Sequence, residues 1–232
     1  MPTSAPRTAR QRARTEITAE ILATARRQVA EVGPGQLSLR AVARELGMAS
    51  SALYRYFPDR DALLTQLIIV AYDELGDACD AGLEAARSDP LCQWRALANS
   101  ARAWARSNPQ MYALIYGTPV PGYAAPHDTV DPATRVFRQL GNICVALDRA
   151  GVPVPDQVAI PKHLAEQISR LLDSEEVELN HQRFMAATSA WALLFGMVSF
   201  EVFGRYTNMF DDLDALFTHQ VDRVAISMGM TP

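Results

Sequence analysis

The sequence predicts an all-α chain in which a small basic head of short helices precedes a larger helical body. Three observations carry this. Apolar residues recur at helical spacing, as Ile17, Ile21, Ala25 and Val29 do in steps of four. Stretches that alternate apolar and polar residues, as a half-buried strand would, are nearly absent. The pattern breaks at Gly and Pro residues that adjoin good helix caps.

Taken in order, residues 1–14 are rich in Pro, Ser, Thr, Ala and Arg and read as a flexible basic arm. The first helix follows and stops at the "GPG" of 33–35. Ser38 suits the N-cap of a short helix over Leu39 to Leu46, with Gly47 as its left-handed terminator. A third helix is expected from Ser50 to Phe57, and Asp59 can cap a long fourth one reaching Ala86. "SDP" at 88–90 opens a helix that holds Leu91, Trp94, Leu97, Ala101 and Trp104. Asn108-Pro109 and Asp131-Pro132 each read as an N-cap followed by proline at the first helical position. The proline-rich stretch 117–130 between them is expected to be an irregular loop, and "VPVPDQVAIP" a second one. Helices over 133–150, 162–173, 178–204 and 212–228 complete the chain.

The net charge of −4 hides an uneven distribution. Residues 1–60 hold ten arginines against five acids, +5, which leaves twelve basic and twenty-one acidic residues, −9, in the rest. A basic head on an acidic body directs an anionic partner to the N-terminal end alone. Cys79, Cys92 and Cys144 are widely separated, lack metal-ligand spacing, and fit core positions in a reducing compartment. No signal peptide is visible, and a cytoplasmic location is expected. The charge-free run Phe184 to Phe200 is 17 residues long, at the short edge of a membrane span, and reads instead as a buried helix.

Residues 39–56 carry the most specific pattern. Ala43 and Gly47 stand four apart, so that a small residue admits the second helix and a glycine makes the turn. Leu39, Val42, Leu46, Met48 and Leu53, closed by Tyr56, lie where such a helix pair must bury apolar groups. On a basic segment, this constellation favours DNA binding over a hairpin that only fills a core.

The stretch "LSLRAVARELGMASSALYRYFPDRDALL" and the helix before it resemble the DNA-binding domain of the tetracycline-repressor (TetR) family of bacterial transcription regulators. The features that carry the resemblance are the Gly47 turn, the L-Y-x-Y-F run at 53–57 and the basic Arg60, which stands where the family usually has lysine. The resemblance implies that the third helix enters the major groove, with Ala49, Ser50, Ser51 and Ala52 nearest the bases. Arg40 and Tyr54 are the stronger specificity candidates, because the small residues offer only serine hydroxyls. Tyr54, Tyr56 and Arg60 resemble the family's backbone contacts, Ser38 can present backbone N–H groups to a phosphate, and Arg14 and Thr15 reach the flanking backbone.

The stretches "YALIYGTPVPGYAAP" and "WALLFGMVSFEVFG" are similar to the branch whose C-terminal domain is often called WHG, although Phe195 replaces its common histidine. The implied organisation is an arm over 1–14, a helix-turn-helix domain over 15–60, and an effector-binding and dimerisation domain over 61–232. The implied partners are double-stranded DNA with a palindromic operator, a small apolar effector and a second copy of the chain, with no membrane. Trp94, Leu97, Trp104, Met111, Tyr112, Ile115, Tyr116, Phe137, Leu140 and Cys144 lie on helices that line the family's ligand cavity. Ala192, Gly196 and Ser199 have the spacing for close helix approach between subunits. The function implied is that of a repressor released by its effector, needing no cofactor. A binding module that has lost its DNA activity is the alternative. An enzyme is disfavoured, because the four histidines are scattered and there is no nucleophile elbow or phosphate loop. Glu178 and His181 have the spacing of one iron-ligand pair but no second copy.

Overall fold

A computed structural model describes residues 8–155 and 157–231. Among them the chain is helical throughout, with ten α-helices and two short 3-10 turns. The helices are α1 (Ala9–Val32), α2 (Leu39–Glu45), α3 (Ser50–Leu53), α4 (Arg60–Ala85), α5 (Pro90–Ser107), α6 (Pro109–Tyr116), α7 (Val130–Arg149), α8 (Lys162–Ser174), α9 (His181–Val202) and α10 (Leu213–Ser227). Two compact units divide the chain: one runs to Tyr72 and includes Gln110–Val130, and the other holds Asp73–Pro109 and everything from Asp131 onward.

In the N-terminal unit, α1 buries Ile21, Thr24, Ala25 and Val29, the stripe read from the sequence. Its start corrects the expected arm, whose residues 1–7 lie outside the described residues. From Ala9 the chain is already helical, because Thr8 and Gln11 form a reciprocal capping box and no breaker follows before Gly33. The α2–α3 turn closes as a Schellman motif, in which the Met48 N–H donates to the Ala43 carbonyl at 2.8 Å and the Gly47 N–H to Arg44 at 3.2 Å. Gly47 takes a φ of +65°, which a side chain would strain. The helix expected over Ser50–Phe57 is regular only to Leu53. Beyond it the winding tightens, with Arg55 bonded to Ala52 and Tyr56 to Leu53 three residues back. Leu53 and Phe57 point into the core with Val42 and Ala43.

The 110–130 segment belongs to this unit as well. Tyr123 Oη lies 2.9 Å from Thr65 Oγ1, and the Tyr72 hydroxyl donates to the Ile115 carbonyl at 3.3 Å. Tyr72, Tyr112 and Tyr116 stack edge-to-face and tilted around α6.

The C-terminal unit is held by apolar packing and by buried arginines. Trp94 on α5 is fully buried and donates its indole N–H to the Val221 carbonyl on α10 at 2.9 Å. Arg102 of α5 forks onto Glu201 of α9 at 2.7 and 2.9 Å and reaches Asp214 of α10 at 2.8 Å, with its guanidinium over the Phe217 ring. Arg183, fully buried, pairs with Asp148 of α7 at 2.9 Å and donates to the Met228 and Val152 carbonyls. Arg135 lies across α4, pairing with Asp77 and Asp80, in space that Gly76 leaves free. The expected start of α7 is corrected: Asp131 is not an N-cap but lies in the first turn, because a 3-10 turn over His127–Thr129 runs straight into Val130.

The apolar run in α9 is one-sided rather than wholly buried. Ala187, Ala190, Leu194, Met197 and Val198 face the unit's core, and α9 packs on α5, α8 and α10. It is also the one described helix long and apolar enough to cross a membrane.

Candidate nucleic-acid interface

The residues expected to touch DNA fall into three groups once their surroundings are known. Ala49, Ser50 and Ser51 at the start of α3 are exposed, and Ala52 behind them is half-buried. Ser50 and Ser51 therefore present their hydroxyls to solvent along a slim edge. Tyr54 is 45% exposed although its neighbour Leu53 is fully buried, so its ring stands off the surface beside that edge. Arg40 on α2 is exposed. Among the described residues the side chains of Arg40, Arg44 and Arg55 make no hydrogen bond or ion pair, so three guanidiniums remain uncommitted.

The second group is already engaged in the unit, in ways compatible with contact. The Arg14 guanidinium sits 5.4 Å from the centre of the Tyr56 ring, which brings two expected backbone contacts together through a cation–π interaction. Thr15 donates its hydroxyl to the Gln11 carbonyl at 3.0 Å, leaving its oxygen lone pairs as its free function.

The third group does structural work. The Ser38 N–H is taken by Gln28 Oε1 at 2.7 Å, and the Ser38 side chain makes no capping bond. The backbone donor expected there is thus used to tie α2 to α1. Arg60 donates to the Pro34 carbonyl at 3.0 Å and to Gly35 at 3.3 Å, pinning the start of α4 to the "GPG" turn. Both bonds come from the one nitrogen Nη2, while Nη1 faces the Asp61 carboxylate at 3.5 Å. Gln28 and the two carbonyls were not legible as partners, since 10 and 26 residues separate them from the groups they bind.

The residues expected around an effector divide between the units. Trp94, Leu97, Trp104, Leu140 and Cys144 are buried in the C-terminal unit, where Phe137 is half-buried. Met111 and Tyr112 are buried in the N-terminal unit, with Ile115 and Tyr116 half-buried. The sequence reading missed Trp191 and Phe184, whose rings meet Phe137 edge-to-face at 5.5 and 5.9 Å. Trp191 Nε1 and Gln139 Oε1 are buried without a hydrogen-bond partner among the described residues. Of the expected subunit-contact residues, Ala192 and Gly196 are exposed and Ser199 half-buried. His181, the one histidine with a ligand-like neighbour in sequence, bonds to Ser169 Oγ at 3.1 Å.

Comparison with known proteins places the chain in a family. Residues 21–67 match the family profile for bacterial regulatory proteins of the tetR family, and residues 94–224 match that of the tetracyclin repressor-like C-terminal domain. HTH-type transcriptional regulators of Mycobacterium tuberculosis and Mycobacterium bovis are 38% identical over 219 residues, covering 91% of this chain and 92% of theirs. The crystal structure of the regulatory protein SCO4313 superposes with a TM-score of 0.70 at 34% identity, over 95% of this chain and 98% of that one. PfmR, a TetR family regulator from Thermus thermophilus, shares the fold with a TM-score of 0.58 at 17% identity, over 88% of this chain and 96% of its own. By its head and its body alike, the chain belongs to the TetR family of DNA-binding transcriptional regulators, a family without enzymatic activity.

Proposed function

We propose that the chain is a homodimeric repressor that binds a palindromic operator in the cytoplasm and leaves it when a small apolar effector binds. The observation that carries the DNA side of this reading is the uncommitted charge of Arg40, Arg44 and Arg55 around the exposed edge of α3. In a folded unit that pairs Arg27 with Glu45 at 2.8 Å, exposed guanidiniums left without a carboxylate suit phosphates and guanine edges. Two such heads, about one helical turn or roughly 34–36 Å apart, would read an inverted repeat. Arg40 and Tyr54 are the proposed specificity residues. Arg14, Thr15, Ala49, Ser50, Ser51, Tyr56 and Arg60 are proposed as further contacts, and Ser38 acts by placing α2.

The effector side rests on the C-terminal unit. The rings of Phe137, Phe184, Trp191 and Phe195 form one connected set, and an indole N–H and an amide oxygen stand nearby in sequence without partners. An apolar molecule carrying a hydrogen-bond acceptor suits such a lining. A TetR variant from Acinetobacter baumannii, which shares the fold at a TM-score of 0.51, was solved in complex with minocycline, so the architecture accepts small molecules. The WHG branch is the proposed subtype, supported by Trp191 and Gly196 on α9, within the matched C-terminal region. Effector binding would act by favouring a head spacing that no longer fits adjacent grooves.

A gel-shift titration against DNA upstream of the chain's own gene tests the reading. An inverted repeat should be retained, with affinity falling steeply as salt rises and specific binding about 10³–10⁷ tighter than non-specific. If no nearby sequence is bound with salt dependence, the repressor reading is lost and a ligand-binding module without DNA activity takes its place.

A further inference from the structure

Gly196 sits in the middle of α9, where a glycine costs about 1 kcal/mol against alanine, and no close neighbour among the described residues requires it. A Cβ built there meets no atom within 4 Å, so the residue admits no neighbouring element of its own chain. The glycine is also the centre of an exposed face. Ser189, Ala192, Leu193, Gly196, Phe200 and Phe203 are all exposed, and at 100° per residue they fall on one side of the helix. Leu193 and Phe200 are each 53% exposed and Phe203 41%.

The order of sizes along this face is the informative part. Four residues before Gly196 stands Ala192, and four after it Phe200; seven before stands Ser189, and seven after it Phe203. Three before stands Leu193, and three after it Ser199. Each small residue is therefore mirrored through Gly196 by a large one. That is the condition for a face to fit a second copy of itself across a two-fold axis, where every contact occurs twice with the roles exchanged.

We propose that α9 crosses its twin antiparallel with Gly196 on the axis, so that Ala192 receives the partner's Phe200, Ser189 the partner's Phe203, and Leu193 the partner's Ser199. This rests on the homodimer reading above and adds the register and the contact residues to it. The face continues past the helix, since the rings of Phe200, Tyr206 and Phe210 lie in contact at 5.6 and 5.8 Å and Met209 is 65% exposed. Leu193, Phe200, Phe203, Met209 and Phe210 together leave on the order of 400 Å² of apolar side chain open, taking half-exposed rings at about 100 Å² each. That is about half of the roughly 800 Å² per partner a standard interface buries, and the small residues and α8 can supply the rest.

Cysteine cross-linking in a Cys92→Ser background tests the register, with sedimentation velocity on the same full-length proteins to give the oligomeric state. Gly196→Cys, and the double variant Ala192→Cys with Phe200→Cys, should give disulfide-linked dimers on mild oxidation. Ala192→Cys alone and Phe200→Cys alone should not, because the register sets each residue about 12 Å along the axis from its own copy, beyond disulfide reach. Gly196→Leu should weaken dimerisation at least 10-fold while leaving helical content unchanged, since the space around it is open within one chain. A dimer in which either single variant links, the double variant does not, or Gly196→Leu has no effect overturns the register and leaves the dimer standing. A chain that sediments as a monomer at micromolar concentration overturns both.

Discussion

In the N-terminal unit Arg40, Arg44 and Arg55 stand exposed with no ion pair among the described residues, whereas in the C-terminal unit Arg95, Arg102, Arg135 and Arg183 each close on at least one carboxylate. The two sets differ in what holds them. The C-terminal arginines are fixed by acids from other helices, so much of that unit's negative charge is answered internally. The head's arginines have few acids to meet, and their charge is left for another molecule. The excess of +5 over residues 1–60 thus lies on side chains that the fold leaves open, and the acids of the C-terminal unit go largely to cohesion.

The comparison breaks most visibly at Arg183. Arg183→Ala should cost about 3–5 kcal/mol in urea denaturation, because it leaves the Asp148 carboxylate and two carbonyls without their donor. Arg40→Ala should act the other way round. Operator affinity should fall about 10- to 100-fold in a gel shift, the loss of one good base contact, while the stability read by urea denaturation stays within about 0.5 kcal/mol of wild type. If Arg40→Ala instead unfolds the head and spares DNA binding, the contrast between the units fails.

A smaller effect concerns the buried thiols. Burial pushes both Cys79 and Cys144 up to about 12 from an ordinary value of 9.0. In the folded chain they hold their protons where the unfolded chain would lose them. Their contribution to stability is therefore full below pH 9 and is lost between about pH 9 and 12 as the pH rises. Denaturation midpoints measured across that range should decline, and at neutral pH a thiol reagent should modify Cys92 well before the other two. The smallest change expected is from Arg27→Ala. Its pair with Glu45 is about half-exposed on both sides, so the loss should be at most about 1 kcal/mol by the same denaturation assay.

Local grammar was legible before any coordinates. Gly47 announced the turn between α2 and α3 and Asp89-Pro90 the start of α5, whereas the cap at Asn180, inside the expected 178–204, was not read. Where a boundary was missed, another local signal had been overlooked. The Thr8–Gln11 capping box extends α1 back into the supposed arm, and a 3-10 turn supplies the lead into α7. What spacing could not reveal was pairing over distance. Arg102 meets Glu201 from 99 residues away, and Arg60 finds carbonyls 26 and 25 residues before it. The apolar run of α9 read as a helix, but which of its sides faces outward is decided by α5, α8 and α10 packing on the other. Arg60 shows the same limit at the DNA head: its charge suggested a phosphate, and only folding reveals the two carbonyls it also meets.

The mirrored sizes on α9 bear on a problem a single dimer does not pose. In a cell that holds relatives of this fold, every pair of similar chains is a potential heterodimer, and a mixed pair would carry two different reading heads. A paralogue with a large residue at the place of Ala192 would press it against Phe200, and one with a small residue at the place of Phe200 would leave Ala192 facing a void. Either mismatch would be felt twice, once on each side of the axis. The side-chain order around one glycine would in this way insulate the regulator's DNA address from those of its kin.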